Sequence, residues 1–181
     1  MVNIHAHAAP VSAWLRRFLT LAAPGGRALD LAAGEGRHTG LLLDQGFAVT
    51  AADRKTEELK RHFGGNASCT IVPVDLETGA PWPLGGGYDL ILVSLYLHRP
   101  LFPDLMAALA PEGLLIYETF MAGNEKFGRP SNPDFLLKPT ELVERSAPLH
   151  VLAFEQGEVT VPKPAMMQRI AARNGGFAKL P

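Results

Sequence analysis

Ala28-Leu29-Asp30-Leu31-Ala32-Ala33-Gly34-Glu35-Gly36-Arg37-His38-Thr39 is the stretch that decides the fold of this chain. Leu29 and Leu31, set among small residues, have the character of a strand end covered on both faces. Gly34 and Gly36 permit a sharp turn and a close approach of the backbone to a ligand. From Arg37 the pattern turns helical, through Leu41, Leu42 and Leu43. Asp30 stands four positions before the first glycine, and that acid bears on what the loop can hold.

Working outward, the same strand–helix alternation continues. Val11, Trp14, Leu15, Phe18 and Leu19 lie at i, i+3, i+4, i+7 and i+8, which makes one apolar helix face within an N-terminal segment, residues 1–24. Strands are predicted at 27–32, 47–52 (ending at Asp53), 70–74 (ending at Asp75), 88–93 and 113–117. Helices are predicted at 37–45, 55–63 and about 100–109, and Gly79 to Gly87 reads as a turn-rich link. Pro73 lacks an N–H, so the third strand belongs at a sheet edge or ends there. A short helix near 140–146 and strands near 149–155 and 166–172 complete the chain, with a loose tail at Asn174-Gly175-Gly176. Apolar strands alternating with helices mean a parallel, doubly wound α/β sheet. Residues 119–138 break the pattern. A connection of about twenty residues in a compact domain is usually functional or disordered, and these carry aromatic, basic and amide groups between glycines. They are expected to form a lid or substrate wall, with Phe127, Arg129 and Asn132 as contacts.

The bulk numbers bound the class. The 181 residues make one domain, 1–181, and 47% hydrophobic content is enough for a single sizeable core. The net charge of −1 gives no electrostatic footprint for nucleic acid. Cys69 is the one cysteine, so no intrachain disulfide forms; it is expected to be a plain core residue. The absence of a signal-peptide pattern and of any apolar run approaching ~20 residues predicts a cytoplasmic protein without a membrane span. His5-x-His7 has no further ligands nearby, so no metal site is expected.

In a doubly wound sheet, ligands bind beyond the carboxyl ends of the strands, where the strand order reverses. Those ends carry Asp30, Asp53, Asp75, Ser94 and Glu118. A dinucleotide loop needs G-x-G-x-x-G, but here the third glycine, Gly40, falls one place late, and Asp30 and Glu35 repel phosphate. A Walker loop is absent. A cationic ligand without phosphate, such as S-adenosylmethionine, fits better.

Asp30-Leu31-Ala32-Ala33-Gly34-Glu35-Gly36 resembles the first motif of class I S-adenosylmethionine-dependent methyltransferases, D-L-x-x-G-x-G. Asp53 matches the acid ending their second strand, Asp75-Leu76 their third motif, Tyr88-Asp89-Leu90-Ile91 their fourth strand, and Pro111-Glu112-Gly113-Leu114-Leu115 the turn into the fifth. The resemblance covers about residues 27–118. It implies a Rossmann-like, seven-stranded, mostly parallel sheet with an antiparallel last strand. It also implies roles. Gly34 and Gly36, with Ala32 beside them, would let the backbone pass close to the cofactor, and Asp30 would act near its amino group. Asp53 would accept from the ribose hydroxyls, next to Arg54. Asp75 and Leu76 would meet the adenine, and Ser94 and Leu95 would line the cleft under the sulfonium.

Methyl transfer mainly requires alignment of nucleophile and methyl, and needs a base only when the nucleophile arrives protonated. The fourth strand ends Ser94-Leu95-Tyr96-Leu97-His98-Arg99-Pro100, without the N-P-P-Y that amino-methylating enzymes of DNA and glutamine often carry. Tyr96, His98, Arg99 and Glu118 are the catalytic candidates: His98 a base, Arg99 an anchor for an anionic acceptor, Glu118 a cleft carboxylate or the partner of a nearby arginine. Their alternative is to cap or buttress the next helix. The stretch from Glu118 to Leu137 is also loosely similar to small bacterial methyltransferases of the tellurite-resistance type, which implies a small oxyanion or thiol-like acceptor. With no added domain to grip a macromolecule, a small-molecule acceptor leads. Methylation of RNA or protein with a partner, and a non-catalytic cofactor-binding module, are the alternatives. Monomer and homodimer stay equally open.

Overall fold

The computed structural model describes residues 10–176; the His5-x-His7 pair lies outside them. The strands are β1 (Arg27–Leu31), β2 (Ala48–Asp53), β3 (Cys69–Pro73), β4 (Tyr88–Ser94), β5 (Leu109–Phe120), β6 (His150–Val159) and β7 (Ala165–Arg173). The helices are α1 (Ala13–Phe18), α2 (Arg37–Asp44), α3 (Glu57–Phe63), α4 (Phe102–Ala108) and α5 (Glu141–Arg145). All seven strands join one sheet in the order β3-β2-β1-β4-β5-β7-β6. β1 to β5 pair in parallel, while β7 runs antiparallel to both β5 and β6. This is the expected mostly parallel sheet with its last strand reversed. β3 lies at an edge and Pro73 is its last residue, so both places open to this proline apply.

Side-chain alternation along the strands builds two apolar layers. Leu29, Leu31, Ile91, Val93 and Tyr117 face a core that includes Phe102 and Leu105 of α4 and Leu142 of α5. Ala28, Val49, Leu90, Leu92 and Ile116 face the opposite way, onto Trp14, Leu15 and Phe18 of α1 and Leu42 of α2. The indole N–H of Trp14 donates to the carbonyl of Ile170 at 3.1 Å, which ties α1 to β7. Leu59 and Phe63 of α3 pack on Ala33 and Ala51, with Cys69 and Ile71 against them. Cys69 is therefore half-buried at the edge of a satellite cluster, not within the main core.

Other expectations need correction. β5 runs from Leu109, four residues before the predicted start, because Asn174 completes its irregular beginning. The Asn174 N–H donates to Gly113 and its side-chain amide to the carbonyl of Ala110 at 3.0 Å, so the supposedly loose tail is pinned. β6 extends to Val159, making a longer hairpin with β7 than predicted. No helix among the described residues is long and apolar enough to cross a membrane.

Candidate active site

The strand order reverses between β1 and β4, so the carboxyl ends of these two strands frame the crevice. Two cavities flank the end of β4, and the consecutive residues Leu95 and Tyr96 each line one of them. Two of the four non-glycine residues at positive φ among the described residues lie here. Ala32 and Leu95, which follow β1 and β4, adopt φ of 55° and 58°, a region that side chains other than glycine rarely occupy.

The first cavity, about 190 Å³, is lined by Ala32, Asp53, Arg54, Val74, Asp75, Leu76, Glu77 and Tyr96. Asp53 is held at both oxygens: Gly34 N–H donates to Oδ2 at 2.8 Å and Lys55 N–H to Oδ1 at 2.9 Å. The end of β2 and the glycine turn are thereby locked together, with the second lone pairs of the carboxylate left for a ligand. Asp75 accepts from Glu77 N–H at 3.0 Å, so it shapes its turn and rims the cavity together. Arg54 lies 3.9 Å from Asp75, largely in solvent.

The two glycines do different jobs. A Cβ on Gly34 would meet nothing within 4 Å, so its backbone faces open space. A Cβ on Gly36 would come within 2.4 Å of Phe63, so this glycine, at φ 85°, exists to let α3 pack against the turn.

Asp30 points inward. It is 1% exposed and accepts from the Thr39 hydroxyl at 2.6 Å, across the first turn of α2. Burial pushes its carboxyl up to about 6, against the Thr39 hydrogen bonds and the charge of Arg37. The native state thus holds this proton more firmly than the unfolded chain, whose value is 3.8. Stability from this group is full below about pH 4 and is lost as pH rises through about 6. Asp30→Asn is expected to remove that loss, raising the urea midpoint at about pH 7.5 more than at about pH 4.5. Parallel profiles for the two proteins would rule the group out.

The second cavity, about 200 Å³, opens on the other side of β4, between residues 10–13, the ends of β4 and β5, and the β6–β7 turn. Glu118 and Arg37 line it, with Ser94 bridging them: the Ser94 hydroxyl donates to Glu118 at 3.1 Å and accepts from Arg37 at 3.1 Å. Arg169, opposite Glu118 in the β5–β7 register, places Nε 3.4 Å from its carboxylate. Arg37 also reaches the carbonyl of Pro10 at 3.3 Å. The neighbouring His38 ring accepts from Ser12 N–H at 3.2 Å through Nε2. Burial, with the charge of Arg37, pushes His38 down to about 3, so it stays neutral and fastens the N-terminal segment to α2.

The catalytic candidates separate. Glu118 is both of the things expected of it, a cleft carboxylate and an arginine partner. Tyr96 lines the first cavity rather than the second, and burial together with Glu77, Asp75 and Asp53 raises its hydroxyl pKa. His98 and Arg99 line neither cavity. Arg99 is committed elsewhere: its guanidinium holds Glu141 through Nε at 2.7 Å and Nη2 at 3.0 Å, and donates to the carbonyls of Asp134 and Leu136. These bonds commit Arg99 to α5 and the 134–136 backbone, not to the next helix, α4, that the buttressing alternative named. Phe127, Arg129 and Asn132 line neither cavity either. Asn132 caps the turn at Pro133–Phe135, and the buried Asn124 spans the 119–138 segment by donating to Pro130 and accepting from Met166 N–H. From residues 119–138 Phe120 lines the second cavity, whose outer wall is otherwise the β6–β7 turn and residues 10–13. Among the lining residues that sequence reasoning missed are Glu77, Arg37, Phe120, Lys163 and Arg169. Glu77 had a signal, two places after Asp75 on the same rim. Arg169 had none, because its place depends on antiparallel register.

No model of a known protein family matches the chain, and no curated protein matches it in sequence. Solved structures do. TehB from Haemophilus influenzae superposes with a TM-score of 0.75 at 15% identity over 90% of this chain, which spans 62% of that one. The N-methyltransferase NodS from Bradyrhizobium japonicum gives 0.70 at 16% identity, over 90% of this chain and 93% of that one. The 1,6-didemethyltoxoflavin-N1-methyltransferase from Burkholderia thailandensis, crystallised with 1,6-didemethyltoxoflavin and S-adenosylhomocysteine, gives 0.67 at 22% identity, over 91% and 77%. At these identities the likeness is one of fold, and the fold is that of the class I S-adenosylmethionine-dependent methyltransferases.

Proposed function

We propose that this protein is an S-adenosylmethionine-dependent methyltransferase acting on a small-molecule acceptor. The observation that carries the reading is Asp53, pinned through both oxygens to Gly34 and Lys55 at the rim of a cavity that opens at the strand-order reversal.

The donor set of that cavity fits the cofactor. Asp53, Asp75 and Glu77 disfavour a phosphate and suit a ligand bearing hydroxyls, an amino group and positive charge, while Val74, Leu76 and Tyr96 offer apolar surface to a flat ring. Asp53 would hold the ribose hydroxyls, Asp75 and Leu76 the adenine, and the backbone at Ala32 and Gly34 the methionine part. When bound, S-adenosylmethionine supplies a methyl group activated by its sulfonium. The protein's own work is then positional. Leu95, held at positive φ with its N–H on the Glu118 carbonyl, walls the boundary between cofactor and acceptor. Glu118 takes the proton of an acceptor that arrives protonated. Tyr96 belongs with the cofactor, while His98 and Arg99 shape the chain behind it.

A small acceptor is favoured by the second cavity, whose ~200 Å³ suits one ring or a short chain. The Burkholderia thailandensis enzyme, with a small acceptor in its structure, supports the same reading. The test is turnover with methyl-labelled cofactor in a metabolite extract, separated into small-molecule, RNA and protein fractions. Label is expected in the small-molecule fraction. Label in RNA or protein would overturn the acceptor class, and cofactor binding without any transfer would leave a binding module.

A further inference from the structure

Resting on that reading of the cofactor cavity, we infer that the acceptor is a small amphiphilic monoanion, a carboxylate borne on one apolar ring or short chain. Among the described residues, three cationic side chains, Arg37, Lys163 and Arg169, line the second cavity against one carboxylate, Glu118. Glu118 is already engaged by Arg169 and Ser94. Arg37 donates to two neutral oxygens, those of Pro10 and Ser94, and among the described residues neither it nor Lys163 forms an ion pair. The Nε of Arg169 is buried and, though near Glu118, makes no aligned hydrogen bond. Arg169 also lies 3.9 Å from Glu155, so Arg37 and Lys163 are the cavity cations left without an ion pair among the described residues. A buried guanidinium N–H without an aligned partner, beside two cations that have no ion pair, suits a carboxylate.

The rest of the lining is apolar. Leu95 is 45% exposed and Val161 75% exposed, and two of the three large hydrophobic residues so exposed among the described residues therefore meet at this one cavity. Phe120 and Met167 continue the same surface. Exposed apolar side chains beside cations without an ion pair are unfavourable to leave in water and complementary to a ligand with one charged end and one greasy end. The nearby Glu118 disfavours a dianion. The ~200 Å³ volume disfavours a nucleotide or a peptide.

Benzoate, benzamide and benzylammonium are the probes, titrated by ligand-observed NMR into the protein alone and into protein saturated with S-adenosylhomocysteine. Benzoate is expected to bind in both states, about tenfold more tightly than benzamide, with benzylammonium not bound. Lys163→Met, at an exposed turn residue that the fold does not need, and Arg37→Met are each expected to weaken benzoate severalfold while leaving benzamide unchanged. Equal binding of benzoate and benzamide would overturn the inference, as would displacement of benzoate by S-adenosylhomocysteine, which would put the anion in the cofactor's own place. The S-adenosylhomocysteine titration is read separately: failure of that arm overturns the cofactor assignment, and with it the identity of the benzoate site as an acceptor site.

Discussion

Asp53→Ala is expected to weaken S-adenosylhomocysteine binding by about a hundredfold or more, without unfolding the protein. The carboxylate would supply two charge-assisted hydrogen bonds to the ribose, each worth about 1.5–3 kcal/mol. It also fixes the site before any ligand arrives. Its acceptance from Gly34 N–H at 2.8 Å sets the glycine turn against the end of β2, and its acceptance from Lys55 N–H at 2.9 Å starts the next connection. Alanine would forfeit both the ligand contact and the preorganisation. Asp53→Asn separates the two contributions. It keeps one oxygen for Gly34 but presents an N–H₂ where the second acceptor stood, so affinity is expected to fall by an intermediate factor while stability stays near that of the parent. Calorimetry against S-adenosylhomocysteine measures both variants, and urea denaturation measures their folding. Unchanged affinity in Asp53→Ala would remove this residue from the site and with it the main support for the cofactor.

Asp53 was legible in the sequence for a physical reason. It ends a strand, and the position of a strand end is fixed by local pattern: an apolar run, then an acid, then a charged helix. The same holds for Asp30, Gly34, Gly36 and Asp75. What local pattern does not encode is the function of each within that place. Gly34 and Gly36 look alike in sequence, yet one faces open space and the other makes room for Phe63, a residue 27 positions away. Asp30 reads as a ligand-facing acid but turns to Thr39, because α2 brings that hydroxyl over the end of β1. The second cavity was less legible still. Its walls come from residues 10–13, Glu118, and the β6–β7 turn, which only antiparallel pairing of β7 beside β5 brings together. Within residues 119–138 the three expected contacts, Phe127, Arg129 and Asn132, line neither cavity, whereas Phe120 lines the second. Glycine, proline and polar content resemble a mobile lid, whereas Asn124, Asn132 and Arg99 spend that polarity on holding the segment in place.

Glu141 holds the Arg99 guanidinium that bonds directly to the 134–136 backbone, and Glu141→Ala is expected to cost about 3 kcal/mol of folding stability. The carboxylate, only 5% exposed, gathers four donors: Arg99 twice, Arg145 Nε at 2.6 Å, and Lys138 N–H at 2.9 Å. Removing it leaves two guanidinium groups without their shared carboxylate, at side-chain exposures of 27% and 32%. That partial access to water keeps the loss at the low end of what breaking a buried pair costs. Burial alone would push Glu141 up. The bonds from Arg99, the Lys138 N–H and Arg145 outweigh it and carry the carboxyl down to about 2, from 4.5. A folded-state value below the unfolded one means stability that is fully present above about pH 4.5 and lost as pH falls through about 2. The difference in urea stability between the parent and Glu141→Gln is therefore expected to be largest near neutrality and to close toward about pH 2. Lys126→Ala, which breaks an exposed pair with Glu158, is the control and is expected to change stability by at most about 0.5 kcal/mol. Because Arg99 lines neither cavity, Glu141→Gln is expected to raise hydrogen exchange across residues 134–138 while leaving S-adenosylhomocysteine affinity within about twofold. A matching collapse of cofactor affinity would instead return Arg99 to the site, and the buttress would have to be read as part of the binding machinery.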